Sequence, residues 1–304
     1  MDKPKHTIHK RVHHRNGFAL LITLSVLAVI IALTGILLSY FDEVRKDANT
    51  TKALIQGNLY YADIQKTFKN FKKKKTLYRT LYLTPVPLSS PDGRFSLMLK
   101  CHPLANGVNI NWLGLENNKS MYLAYNTAQS VFDEISQIYN LEDAGRLQEM
   151  LLEEIGGKEK FVQKEQSRLR QKNGIISYEQ FESIVSRYQF EVDDQKVGHV
   201  PWSKFFIFSA AAKVIDGDYI SAELISLLFD IDLAAVKEEW IEGEVKLKSF
   251  VQNSGGTYDQ KLFAQDFLEE SECEVFYGYA GERFKFKFID IQGEVKDFEF
   301  YGKQ

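Results

Sequence analysis

Arg15-Asn16-Gly17-Phe18-Ala19-Leu20-Leu21-Ile22-Thr23-Leu24 opens an apolar run that reaches Phe41 with no charged residue after Arg15. A basic leader ends in glycine, an aromatic residue follows, and the uncharged run begins. The hydrocarbon core of a bilayer is about 30 Å thick, and an α-helix needs about 20 apolar residues to cross it. Residues 18–41 are long enough to span. They are also long for the apolar region of a secretory signal peptide, which runs about 7–15 residues. No Ala-x-Ala-like site follows the run, so any cut lies ahead of it and the apolar segment stays with the chain.

The flanks give an orientation. Lys3, Lys5, Lys10, Arg11 and Arg15 precede the run with only Asp2 against them, whereas Asp42, Glu43, Arg45, Lys46 and Asp47 follow it with mixed sign. The positive-inside rule puts the leader in the cytoplasm and the rest of the chain across the membrane. His6, His9, His13 and His14 belong to this leader and read as part of a weakly basic tail. Beyond Phe41 the helical spacing continues through Leu54, Ile55, Leu59, Tyr60, Ala62, Ile64 and Phe68, and no proline occurs from Phe18 to Leu83. The pattern predicts one helix of about 55 residues, half in the membrane and half outside it.

After Pro85, Pro87 and Pro91-Asp92-Gly93 the punctuation is that of turns. Arg94–Lys100 reads as a strand, and Asn106-Gly107 is a tight-turn signal leading into Val108–Leu113. From about Ser120 to Lys246 the spacing is mostly helical. Helices are expected at Met121–Tyr139, Glu142–Ile155, Lys158–Lys172 and Tyr178–Tyr188, the last opened by Ser177 in a capping-box context. Ser203–Val214 is apolar and Ala-rich. Further helices are expected from Ser221 to Phe229 and at Leu233–Trp240. The end of the chain alternates in strand fashion over Val245–Phe250, Cys273–Tyr279, Glu282–Ile289 and Gly293–Tyr301, with turns at Gly281 and Gln292-Gly293. Phe284, Phe286 and Phe288 share one face; Arg283, Lys285 and Lys287 share the other.

The expected fold class is therefore α+β: a long N-terminal transmembrane helix and an antiparallel β-sheet, interrupted by an all-helical insertion. The divisions expected are a leader at 1–17, the membrane half of the helix at 18–41 and its outer half at 42–76. A first β part at 77–119, the helical insertion at 120–244 and a C-terminal β-meander at 245–304 follow.

Composition narrows the function. The 304 residues carry a net charge of −3, and no sustained basic face appears, which argues against nucleic acid as a partner. Lys72-Lys73-Lys74-Lys75 is the densest basic cluster. It reads as the solvated end of the long helix, with anionic headgroups or an acidic partner as the alternative. Cys101 and Cys273 are the two cysteines. Both fall in segments read as strands and, if periplasmic, lie in an oxidising compartment, so a disulfide is open to them. Their proximity is not legible in the sequence. No Gly-x-Ser-x-Gly, His-Glu-x-x-His or P-loop is present, and His102 and His199 sit in loops. No enzyme is expected.

The junction resembles the class III signal peptide of type IV pilins and type II secretion pseudopilins, in which a basic leader and a glycine precede a hydrophobic helix. The resemblance implies cleavage after Gly17 by a prepilin peptidase and N-methylation of Phe18. Most members carry glutamate as the fifth mature residue, and here that position is Ile22. Its absence is typical of the K class (general secretion pathway protein K), the large minor pseudopilin at the pseudopilus tip. The segment Asn109-Ile110-Asn111 after a strand, and a pilin α/β domain interrupted by helices, are similar to that class. The Asp-rich segment usual there stands here as Leu152-Glu153-Glu154-Ile155-Gly156-Gly157-Lys158, which weakens any site carried over to it.

The resemblance implies a single-pass protein of the bacterial inner membrane with a periplasmic C-terminal domain. Its partners would be sibling minor pseudopilins in a heterotrimeric tip, the major pseudopilin, the prepilin peptidase and membrane lipid. Small residues Ala19, Ala28, Ala32 and Gly35 would let helices approach closely in the membrane. The role implied is nucleating the pseudopilus and supporting protein export across the outer membrane. The competing readings are a tip-class minor pilin of a type IV pilus or DNA-uptake system, and an uncut, singly anchored binding or sensor domain. No cofactor is implied except calcium, since pseudopilins hold non-EF calcium sites. Glu191, Asp193, Asp194, Asp216 and Asp218 are the oxygen donors available for one. Neither Asn173-Gly174 nor Asp216-Gly217-Asp218 satisfies an EF-hand loop, and solvated acids at helix ends are the simpler reading.

Overall fold

The computed structural model describes residues 15–89, 96–156, 174–209 and 212–303. The leader up to residue 14, the turn at Pro91-Asp92-Gly93 and the helix expected at Lys158–Lys172 lie outside them.

Helix α1 runs unbroken over Arg15–Asn70, 56 residues. Its outer half packs on a sheet through Ala53, Tyr60, Ile64 and Phe68, all buried. The last three recur every four residues, which sets them on one stripe of a 3.6-residue helix. Gly57 lies on the same stripe, where a Cβ would stand 2.8 Å from the Tyr277 hydroxyl oxygen. Glycine is what lets the helix backbone approach the sheet, and Tyr277 donates its hydroxyl proton to the Ala53 carbonyl there.

The chain then bends at Phe71–Lys73 and forms a second helix, α2, at Lys74–Leu83. The sequence pattern assigns most of this stretch to the first β part, and the structure corrects that. Tyr78 and Leu81 are buried, and Leu77 and Tyr82 half-buried against the same core. That i, i+1, i+4, i+5 spacing belongs to a helix lying across the sheet's end.

Strands β1 (Val86–Ser89), β2 (Ser96–Pro103), β5 (Glu270–Tyr279), β6 (Glu282–Ile291) and β7 (Glu294–Lys303) form one sheet in the order β1-β2-β5-β6-β7, antiparallel throughout. Ala280-Gly281 and Gln292-Gly293 make the two hairpin turns, with φ of 51°, 80°, 55° and 79°. Two successive positive φ values give the primed turn whose twist matches the flanking strands. Phe284, Phe286 and Phe288 are buried against α1, while Lys285 and Lys287 lie on the outer face.

Between β2 and β5 the chain leaves the sheet and builds a second core. Among the described residues its helices are α3 (Tyr122–Ile138), α4 (Ala144–Gly156), α5 (Tyr178–Val192), α6 (Ala222–Phe229), α7 (Leu233–Glu239) and α8 (Leu247–Asn253). Two short strands, β3 (Val108–Asn109) and β4 (Phe206–Ile207), pair in parallel. The three tryptophans, Trp112, Trp202 and Trp240, are buried in this core.

Three further expectations are corrected here. Val245–Phe250, expected as a strand, is mostly helix α8, so the sheet resumes at Glu270. Leu247, Phe250 and Val251 are buried at i, i+3, i+4, and the Val-Lys-Leu-Lys alternation that suggested a strand is incidental. Asn106-Gly107 does turn the chain, but Val108 pairs with Phe206 rather than folding back on β2. His102, expected in a loop, lies on β2 opposite Glu272, because β2 runs on to Pro103. With those changes the architecture is the expected α+β arrangement: a long apolar helix on an antiparallel sheet, with an inserted helical body.

Candidate functional site

Among the described residues the longest run of exposed large apolar side chains is the first half of α1. From Leu20 to Val44 its apolar side chains stand in the open, with Leu21 62%, Ile31 63% and Phe41 66% exposed. The apolar helix carries a window of mean hydropathy 2.8, and among the described residues it alone is long and apolar enough to cross a bilayer. Three of its hydroxyls bond back to the helix. Thr23 donates to the Leu20 carbonyl at 2.8 Å, Ser25 to Leu21 at 2.9 Å and Thr34 to Ile30 at 2.8 Å. No polar group on these side chains is left needing water. Gly17 and Phe18 fall in the first turn of α1. Ile22 is 45% exposed, so the position lacking a carboxylate faces outward. Gly35 has open space where a Cβ would stand.

Cys101 and Cys273 are directly opposite each other on β2 and β5, fully buried, and joined by a disulfide. The bond closes a loop with a sequence separation of 172 that contains the whole helical insertion.

Asn109 and Asn111 form a clasp where the insertion begins. The Asn111 Oδ1 accepts the Ile175 N–H at 2.7 Å, and its Nδ2 donates to the Ile175 carbonyl at 2.8 Å. The Asn109 Nδ2 donates to the Ser209 and Ala212 carbonyls at 2.7 and 3.1 Å. The Asn109 Oδ1 accepts from the Asn111 N–H at 3.1 Å. Two amides thus tie their own segment to two distant ones, each giving both a donor and an acceptor, and a carboxylate would lack the donor.

The five acids considered for calcium divide into two groups with separate duties. Glu191 pairs with the Arg146 guanidinium at 2.7 Å. Asp193 ends α5 in a left-handed conformation, φ 61°. Asp194 is buried and accepts from the Glu142 N–H, the Tyr188 hydroxyl and the Lys196 N–H at 3.0, 3.2 and 2.9 Å. It works as a structural cap. Asp218 binds Lys246 through Oδ2 and accepts the Leu247 N–H through Oδ1 at 3.4 Å. Among the described residues no group of three or more His, Cys, Asp or Glu side chains is placed to hold a metal ion.

Asp216 is different. It is 6% exposed, and its Oδ2 has no hydrogen-bond partner. It lies where the helical body meets α2, beside the Tyr82–Tyr219 edge-to-face pair with ring centroids 5.0 Å apart. Burial, reinforced by the Asp218 charge, pushes its carboxyl up to about 7. A second buried carboxylate, Asp290, is satisfied: Tyr78 donates to its Oδ2 at 2.6 Å and the Gly293 N–H to its Oδ1 at 2.9 Å. Lys74 pairs with Glu269 beside it. The sequence carries no sign that Asp216 is buried. Asp290 has a signal, because it continues the inward alternation of Phe284, Phe286 and Phe288.

No protein-family model and no curated protein matches the chain. Among solved structures it is similar to a chain of the crystal structure of the GspK-GspI-GspJ complex from the type 2 secretion system of enterotoxigenic Escherichia coli. The identity is 12% over 84% of this chain and 97% of that one, with a TM-score of 0.43.

Proposed function

We propose that this protein is a minor pseudopilin of the K class in a type II secretion system, seated at the tip of the pseudopilus. The observation that carries the reading is the two-part helix α1. It is bare and apolar over its first half and packed along one stripe against an antiparallel sheet over its second. A helix built this way anchors in a bilayer, or packs against equivalent helices, while holding a folded head outside. The sequence adds the Gly17-Phe18 junction, where a prepilin peptidase would cut and the new Phe18 amine be methylated.

In this role the protein carries out no chemistry. Residues 1–17 lie on the cytoplasmic side before cleavage, and the sheet and helical body lie in the periplasm. The membrane half of α1 packs against sibling minor pseudopilins through Ala28, Ala32 and Gly35. Ile22 supports the tip position. An unpaired carboxylate in lipid is costly, and a subunit with none above it has no neighbouring amine for a carboxylate to neutralise. The tip complex nucleates assembly of the major pseudopilin and so supports export across the outer membrane.

The test is the N-terminus of the protein from its native membrane, read by mass spectrometry with and without the cell's prepilin peptidase. A chain starting at N-methylated Phe18 only when the peptidase is present supports the reading. An intact leader in both cells overturns it in favour of an uncut membrane anchor.

A further inference from the structure

Away from the sheet-facing stripe, Ala62, Gln65, Lys66 and Lys69 follow one another at i, i+3, i+4 and i+7 along α1. They line a cavity of about 540 Å³, as much apolar as polar, with Gly293 of the β6–β7 turn and Glu294 and Val295 at the start of β7. Lys66 and Lys69 are exposed, as are Lys72 and Lys73 in the bend that follows. Among the described residues none of these four ammonium groups makes an ion pair. The carboxylates of the surrounding sheet are already engaged. Glu269 holds Lys74, Asp290 holds Tyr78 and the Gly293 N–H, and Glu294 on the cavity wall has an interaction of its own. Lys69, in the last turn of α1, suits the helix dipole, but Lys66 three residues before it repels it, and ion pairing among the described residues does not account for the cluster.

We propose that this lysine-lined cavity is a docking site for a carboxylate-rich segment of a protein partner. Geometry argues against the anchoring bilayer as the source of negative charge. If the apolar half ends at Phe41, the helical rise of 1.5 Å per residue sets Lys66 about 38 Å beyond it. The lining argues for carboxylates strung along a peptide. Lysine, a flexible point charge, serves carboxylate and phosphate alike, and arginine is the bidentate partner of both, so the choice rests on the apolar part of the wall. Ala62 and Val295 give the methylene groups of an acidic side chain an apolar wall. The inference stands apart from the secretion reading and needs only that the first half of α1 lie in a bilayer.

The probe is a fluorescent polyglutamate peptide, titrated against the full-length chain in nonionic micelles at physiological ionic strength. Saturable binding that weakens about tenfold or more (about 1.4 kcal/mol) in K66E/K69E, and measurably in the neutral K66Q/K69Q, is expected. The control K248E/K261E makes the same charge change at two exposed lysines outside the cavity and should bind as the parent does. No saturable binding overturns the proposal, and so does equal weakening in the control. Binding of inorganic polyphosphate but not polyglutamate overturns it in favour of a phosphate-bearing ligand.

Discussion

Replacing Asp216 by asparagine should make the protein more stable at neutral and alkaline pH, although it alters a buried polar side chain. Asparagine keeps the shape of the carboxylate and removes its charge. In the folded chain the Asp216 carboxyl titrates near 7 against an ordinary value of 3.8, chiefly because it is buried and secondly because Asp218 is close. Lys246, Lys75 and a backbone N–H from Asp218 pull the other way and do not offset burial. The folded state therefore holds a proton that the unfolded state has released. Stability from this group is present below pH 4 and is lost as pH rises toward 7. One pKa unit corresponds to about 1.4 kcal/mol, so the full loss is on the order of 4 kcal/mol. The amide introduced by Asp216→Asn cannot lose a proton, so the variant should exceed the parent by about 2 to 4 kcal/mol at pH 8 and match it within about 1 kcal/mol near pH 4. Urea unfolding of the full-length chain in micelles, followed by tryptophan fluorescence, reads this directly, since all three tryptophans are in the helical core. A parent-minus-variant difference that stays flat from pH 4 to pH 8 would refute the reasoning. So would a variant less stable than the parent at pH 8.

Removing the disulfide with C101A/C273A should cost about 5 kcal/mol on the chain-entropy estimate for a loop of this length. A urea midpoint that matches the parent under oxidising conditions would show that the loop is already held closed in the unfolded chain. Asn111→Ala should destabilise by about 2 to 4 kcal/mol, because it leaves the Ile175 N–H and carbonyl without their side-chain partner. The same fluorescence assay checks it, and a loss under about 0.5 kcal/mol would mean that water replaces the clasp.

The sequence makes some of this architecture legible and hides the rest for physical reasons. Helix α1 is readable because it combines an uncharged run with an uninterrupted four-residue stripe. The hairpins are readable because Gly281 and Gln292-Gly293 stand between strictly alternating segments. Helix α2 is not. Its Leu77-Tyr78-Leu81-Tyr82 spacing is short, and tyrosine suits a strand as well as a helix. Val245–Phe250 misleads for the converse reason, since alternating Val-Lys-Leu-Lys on a one-turn scale does not separate the two periods. The pairing of Cys101 with Cys273 depends on β2 and β5 being neighbours, a property of strand order across a long insertion. The isolation of Asp216 depends on α2 lying against the helical body, and α2 is the helix that the pattern conceals. The clasp residues Asn109 and Asn111 stand out as a pair, but their partners Ile175, Ser209 and Ala212 are separated from them by as many as 103 positions.

The placement of the disulfide also fixes how the protein bears load. A pull between α1 and the C-terminal strand travels along α1, through the sheet, and across the Cys101–Cys273 bond. The helical body hangs beside that path. About 600 Å of contour, the reach of the closed loop at 3.3–3.6 Å per residue, is locked out of extension. In single-molecule pulling the extra length should appear only after reduction. While the bond is intact, the insertion is shielded from that tension, and its opening does not lengthen the tether between the membrane helix and the last strand.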